Sequence, residues 1–222
     1  MKTVQKTKYP RTYHLPWSLG TTNDDKIHSI DSIEEMFGGK HVVITEKMDG
    51  ENTTIYSTGE CHARSLDSAS HVSRDYVRGK AREIGCLGIP ENWRITGENL
   101  YAKHAIDYDL LPDYFVIFGI VDENNFSRSW SEVEEWSNLL DVPHAPVIWE
   151  GTWNIEKIKS LYPFKSKMSS TREAEGYVVR VAKTFPMNEF NKNVAKFVRA
   201  NHVQPDDEHW ASKEVVPNKR KV

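Results

Sequence analysis

The chain has 222 residues, 38% of them hydrophobic and 27% charged, and its 29 Lys and Arg against 32 Asp and Glu leave a net charge of −3. This is the composition of a soluble globular protein long enough for a substantial core, and with no global basic field any nucleic-acid surface must be local. The longest apolar run, YFVIFGIV at 114–121, is too short to span a bilayer, and the N-terminus lacks a signal-peptide stretch, so a cytoplasmic protein without a membrane partner is expected. Cys61 and Cys86 have no ligand partners at metal spacing and read as thiols in a reducing compartment.

In chain order, KYPRTYHLPWSLGTTNDDK (8–26) mixes prolines, aromatics and basic residues without periodicity, which predicts an irregular segment wrapped over a surface. DSIEEMF (31–37), with Asp31 three residues before Glu34, predicts a helix that Gly38-Gly39 stops. HVVITEK (41–47) and NTTIYS (52–57) are rich in β-branched residues, and Asp49-Gly50 between them predicts a turned strand pair with Lys47 at a strand end. Residues 68–84 place Val72, Tyr76, Ala81 and Ile84 near helical spacing. YFVIFGIVD (114–122) predicts a fully buried strand. SRSWSEVEEWSNLL follows with a Ser129/Glu132 capping box and Trp130, Val133, Trp136 and Leu140 on one face. EGYVVRVAK (175–183) and NVAKFVR (193–199) predict further strands, and the tail KEVVPNKRKV, which has no core pattern, is expected to fray. The alternation predicts one mixed α/β (α+β) domain with substantial antiparallel sheet.

Lys47 poses the chemical question. A lysine at a strand end either keeps its head in water or is held uncharged so that it can attack an electrophile. A free amine with a pKa of about 10.4 is a poor nucleophile at neutral pH, so the second role wants burial and a neighbouring cation.

EKMDGENT (46–53), CHARS (61–65), GENLYA (97–102), YFVIFGIVD (114–122), EGYVVRV (175–181) and VAKFVR (194–199) occur in that order. Together they resemble the motifs of the covalent nucleotidyltransferases, most closely the ATP-dependent RNA ligases of the phage and editing-ligase type, over about residues 41–200. The resemblance implies a nucleotidyltransferase fold with antiparallel sheets flanking a nucleotide cleft, and ATP and Mg²⁺ (or Mn²⁺) as cofactors. It also implies RNA 5′-phosphate and 3′-hydroxyl ends as substrates; separately from it, a monomer is expected. Lys47 matches the lysine that attacks the α-phosphorus and carries AMP. Asp49 and Gly50 complete that signature, Glu46 precedes it on the nucleotide side, and Asn52 matches an asparagine of the sealing step. Arg64 matches a contact to the nucleotide sugar, and Phe118 the aromatic that stacks on adenine. Glu98 matches a glutamate directed at the ribose or a metal, and Glu175 the metal-linked glutamate. Lys196 matches the basic residue that holds the α-phosphate and would supply the cation Lys47 needs.

The last motif departs from the pattern. Val198 stands where a second lysine is common, and Arg199 follows it, either substituting from a shifted angle or leaving that contact absent. Only 23 residues follow Arg199, so a minimal catalytic domain spanning 1–222 is expected, without a separate C-terminal domain. RNA would then meet local basic patches, such as Arg74, Arg78, Lys80 and Arg82, unless that run is simply a solvated helix face. Lys8, Arg11 and His14 in the opening segment could cover the nucleotide or phosphate site. His202 and His209, among Asp206, Asp207 and Glu208, do not match zinc spacing, and His62, His71 and His104 read as ordinary histidines. Three alternatives share parts of the pattern: a DNA-nick ligase, a GTP-using capping enzyme, and a nucleotide- or RNA-binding module without catalysis. The presence of Lys47, Glu98, Glu175 and Lys196 together argues against the last.

Overall fold

The strands at 41–46 and 51–56 do not pair with each other; they belong to two different sheets that meet at Lys47. The computed structural model describes residues 4–66, 71–200 and 214–221. Its elements are β1 (Tyr13–His14), α1 (Ile30–Phe37), β2 (His41–Glu46), β3 (Glu51–Tyr56), β4 (Cys61–Ala63), α2 (Asp75–Leu87), β5 (Arg94–Asn99), β6 (Phe115–Val121), β7 (Phe126–Ser127), α3 (Trp130–Leu139), β8 (Val147–Thr152), α4 (Ile155–Lys159), β9 (Gly176–Val181), β10 (Phe185–Pro186) and β11 (Val194–Val198). One sheet has the order β1-β11-β9-β2-β8 and the other β10-β7-β6-β5-β3-β4. All pairings within them are antiparallel except β1 with β11.

This corrects the hairpin expected from Asp49-Gly50. The backbone N–H of Asp49 donates to the Tyr108 hydroxyl (2.8 Å), and that of Gly50 to Glu98 Oε1 (3.2 Å), so Asp49 and Gly50 are tied to the second sheet and its loops. A side chain at Gly50 would place its Cβ 2.6 Å from the Asn99 carbonyl oxygen, so only glycine lets the chain cross so close to β5.

Each sheet has its own core. On the five-stranded sheet, Val42, Ile44, Tyr177, Val179 and Phe197 pack against Ile33 and Phe37 of α1 and Ile158 of α4. On the six-stranded sheet, Ile55, Ile95, Ile117 and Ile120 pack against Val77, Ala81 and Ile84 of α2 and Trp130 and Val133 of α3. Side chains buried this completely each contribute about 1.5–3 kcal/mol, which fixes the sheets as platforms for the residues between them. A third, smaller cluster of Val121, Phe185, Met187, Phe190 and Val194 bridges the sheets, with Tyr9 and Val178 packed against it.

Several local readings change. α1 begins one residue earlier than expected and is capped by Ser29, whose hydroxyl accepts from Ser32 N–H at 3.1 Å. α2 starts at Asp75 and buries Val77, Ala81 and Ile84, whereas Val72 lies in a preceding 3₁₀ turn and is exposed. α3 keeps the Ser129/Glu132 capping box. The 214–221 segment is docked instead of frayed: Asn218 is buried, Pro217 bridges Ala102, and Arg220 bridges Leu111. Cys61 and Cys86 are free thiols, and no helix among the described residues is long and apolar enough to cross a membrane. The histidine and acid run at 202–209 lies outside the described residues.

Candidate active site

A cleft of about 530 Å³ opens where the sheets meet, and Lys47, Glu46, Gly50, Asn52, Arg64, Glu98, Phe118 and Lys196 all line it. Lys47 follows β2 directly, and its backbone N–H donates to Gly176 O (3.0 Å), so its side chain leaves the strand at the seam. Gly176 permits this: a Cβ there would lie 2.0 Å from the Phe197 carbonyl oxygen, and the close approach of β9 to β11 brings Glu175 and Lys196 toward Lys47.

The Lys47 ammonium donates to Glu175 Oε2 at 2.5 Å, with the lysine side chain 24% exposed and the glutamate 6%. Burial alone would lower the lysine pKa, but the charges of Glu175, Glu98 and Asp49 outweigh it and hold the pKa above its ordinary value. The ion pair and this direction both favour the charged amine in the nucleotide-free protein, whereas attack needs it neutral. Lys196 gives way instead: burial, followed by the charge of Lys47, pulls its pKa down to about 8. Glu98 is pushed up to about 8, chiefly by burial and further by Glu175 and Asp49, against the opposing pull of Lys47. Four titratable groups thus share one low-dielectric site, two of them poised near neutrality.

The remaining predicted residues divide into those that face the cleft and those that support it. The Asn52 side chain, opposite Glu98 in the β3–β5 pairing, has a buried Oδ1 with no hydrogen-bond partner, as expected of a group waiting for a ligand. Arg64 stands exposed at the lip, and Phe118 forms an apolar wall. The Glu46 carboxylate is buried and accepts from Ser166 Oγ (2.5 Å) and Lys167 N–H (2.9 Å), so only part of the residue faces the cleft. Asp49 acts from beneath, its carboxylate accepting Ile106 N–H at 2.8 Å beside His104, itself a cleft residue. Arg199 is not among the residues that line the cleft: it follows the last residue of β11, and its backbone N–H donates to Glu175 O (2.9 Å).

Sequence reasoning missed two cleft residues. The Tyr9 ring meets Phe118 edge-on at 5.5 Å and Phe190 at 5.2 Å; nothing in its aperiodic segment marked it. Arg180 is buried, donates to Arg128 O at 2.6 Å and lies over Trp130 and Phe185, and burial lowers its pKa to about 10. Its place two residues beyond the cleft-lining Val178 on β9 was the available signal. The opening segment does border the cleft, through Tyr9, Pro10 and Thr12, but Arg11 turns to Asp25 (3.0 Å). His14, paired in register with Lys196, is buried against Ser18 and Asp25, and burial, followed by the Lys196 charge, lowers its pKa to about 4. The expected basic face is largely compensated: Arg74 binds Glu51 through two nitrogens, Lys80 contacts Glu83 and Asp113, and Arg78 contacts Asp75. His62 is satisfied by Tyr56 and Ala63, and His71 caps the 3₁₀ turn.

A family model described as RNA ligase matches residues 40–198, which spans both sheets and every cleft element from β2 to β11. The chain belongs to the RNA ligase family. Solved structures of the Naegleria gruberi RNA ligase share the fold of this family member. The form with pyrophosphate aligns with TM-score 0.60 at 18% identity, covering 89% of this chain and 61% of that one. A lysine-to-alanine variant with ATP and Mn aligns at 0.55 and 17%, covering 77% and 52%, and a lysine-to-methionine variant with AMP and Mn at 0.54 and 17%, covering 88% and 62%. This RNA ligase family chain thus spans between half and two thirds of the length of those structures. Among curated proteins, no sequence match reaches significance.

Proposed function

We propose that the chain is an ATP-dependent RNA ligase that works through a lysine-AMP intermediate on Lys47 and an RNA-adenylate. The observation that carries this reading is that Lys47, Glu98 and Lys196 line one cleft of nucleotide size, with the buried Glu175 carboxylate held against the Lys47 amine from behind its wall. In the first step the Lys47 ammonium loses a proton, with Glu175 as the nearest acceptor, and the amine attacks the α-phosphorus. A nitrogen–phosphorus bond forms as the bond to the pyrophosphate leaving group breaks. Lys196, charged once a phosphate faces it, stabilises negative charge developing on the α-phosphate. Phe118 offers an aromatic face for the adenine, while Arg64 at the lip and the unpartnered Asn52 amide oxygen offer polar contacts to sugar or RNA. In the second step a 5′-phosphate oxygen of RNA displaces Lys47 from AMP. In the third a 3′-hydroxyl attacks the activated phosphate and expels AMP.

The carboxylates available for a metal are Glu175 and Glu98, and no cluster of three or more metal-ligating side chains occurs among the described residues. This donor set fits a hard divalent ion such as Mg²⁺ or Mn²⁺ that takes most of its ligands from phosphate oxygens and water. When bound, such an ion would offset phosphate charge beside the nucleophile. We also infer that the chain, 1–222, acts as one catalytic domain, monomeric and cytoplasmic, with Arg64 and the cleft rim meeting the nucleic acid.

The test is a sealing assay with ATP or GTP and Mg²⁺ or Mn²⁺, on 5′-phosphorylated RNA and DNA ends, single-stranded and nicked. Joined RNA with ATP supports the reading. Joining of DNA nicks alone, guanylate transfer alone, or nucleotide binding without transfer would replace it with the DNA-ligase, capping or binding-module alternative respectively.

A further inference from the structure

The 214–221 segment reaches the active site through an unbroken series of hydrogen bonds. Asn218 is 2% exposed and its side chain is fully used: Oδ1 accepts the Tyr108 N–H (2.9 Å), and Nδ2 donates to Leu100 O (2.8 Å) and Ala102 O (3.3 Å). Its backbone adds a bond from its N–H to Tyr101 O (2.9 Å) and accepts the Tyr114 hydroxyl (3.1 Å). Tyr108, 0% exposed, carries the connection inward, because its hydroxyl accepts the Asp49 N–H at 2.8 Å. Asp49 in turn grips the same loop through Ile106 N–H, and the next residue, Gly50, donates to Glu98. The turn that carries the nucleophile is therefore held by a loop that is itself held by Asn218.

We propose that Asn218 is a positioning residue for Lys47, acting through Tyr108 and the Asp49-Gly50 turn. An alanine would leave the Tyr108 N–H and two carbonyls unpaired in a buried place, loosening the 100–108 loop. The Tyr108 hydroxyl would then no longer fix the Asp49 amide. Small displacements of a nucleophile cost more in rate than in binding, because the attack needs alignment that binding does not.

The proposal rests on the ligase reading, so the experiment measures formation of the Lys47–AMP adduct in the full chain. Asn218→Ala and Tyr108→Phe should both titrate to the wild-type adduct stoichiometry while the rate at saturating ATP falls about tenfold and the KM for ATP changes less than about twofold. The double variant should be no slower than the slower single variant, since both cut one series of contacts. Arg220→Ala, which removes a side chain from over the Tyr114 ring and leaves the Asn218 bonds, should match the wild type. Wild-type rates per adduct-competent molecule in both variants would overturn the positioning role alone. Should Asn218→Ala fail to fold, Tyr108→Phe decides by itself, and an unaltered rate there overturns the proposal. If the wild-type chain forms no adduct, the ligase reading falls and the positioning role falls with it.

Discussion

The Lys47 amine lies 2.5 Å from Glu175 Oε2, closer than any other charged group recorded against it, and this contact sets the resting charge of the nucleophile. Glu175, with Glu98 and Asp49 behind it, outweighs the effect of burial and keeps the ammonium protonated above its ordinary 10.5. Activation therefore requires the pair to be broken or the proton to be passed on. In the nucleotide-free protein, an NMR titration of the Lys47 side chain should show it charged throughout the neutral range. Glu175→Gln should shift that titration to lower pH. A neutral Lys47 amine at pH 8 in the wild type would contradict this.

Nucleotide binding should take up protons near pH 8. Burial and the Lys47 charge bring the Lys196 pKa down to about 8, and Lys196 favours a polyanion in its protonated, cationic form. ATP affinity should fall as pH rises through that value. Calorimetry in buffers of different ionisation enthalpy should record proton uptake at pH 8, reduced in Lys196→Met; no buffer dependence would contradict the assignment.

Glu98 also makes stability pH-dependent in an unusual direction. Its folded pKa of about 8 exceeds its ordinary 4.5, so the folded state holds a proton that the unfolded state has released, and stability is lost as pH rises between those two values. Glu98→Gln should remove that slope, raising Tm at the alkaline end more than at the acid end. Each kcal/mol regained reads as roughly 2–4 °C for a chain of this size. Thermal melts of both proteins across that range test it, and parallel curves would count against a proton shared with the fold.

Gly176→Ala should destabilise the protein by about 1–3 kcal/mol or more, because the new Cβ would sit 2.0 Å from the Phe197 carbonyl oxygen and part β9 from β11. Since those strands carry Glu175 and Lys196 to Lys47, adduct formation should fall as well. Denaturant midpoints read the first effect and the adduct rate of the folded fraction the second. An unchanged midpoint would show that the close approach is not needed.

What the sequence disclosed depended on how local each cause was. The Ser129/Glu132 cap and the strands at 115–121, 176–181 and 194–198 rest on neighbouring residues and were readable. The Asp49-Gly50 hairpin was misread because turn chemistry is local whereas the assignment of β2 and β3 to different sheets is decided by their distant partners β9 and β5. The ordered motifs marked most of the residues that line the cleft. They did not reveal the charge on Lys47, which depends on a carboxylate 128 residues away. Tyr9 and Asn218 lay in stretches without periodicity, where burial comes from individual contacts instead of a repeating face. Whether Arg199 lines the cleft could not be read from the last motif, because β11 ends at Val198 and the residue beyond it is placed by tertiary contacts.

The decisive measurement is to incubate the purified chain with α-labelled ATP and a divalent metal, digest it, and locate the label by peptide mass. AMP should be found on Lys47 and nowhere else, and Lys47→Ala should carry none. Label on another residue, label that persists in Lys47→Ala, or no adduct with any nucleotide and metal would contradict the proposed mechanism.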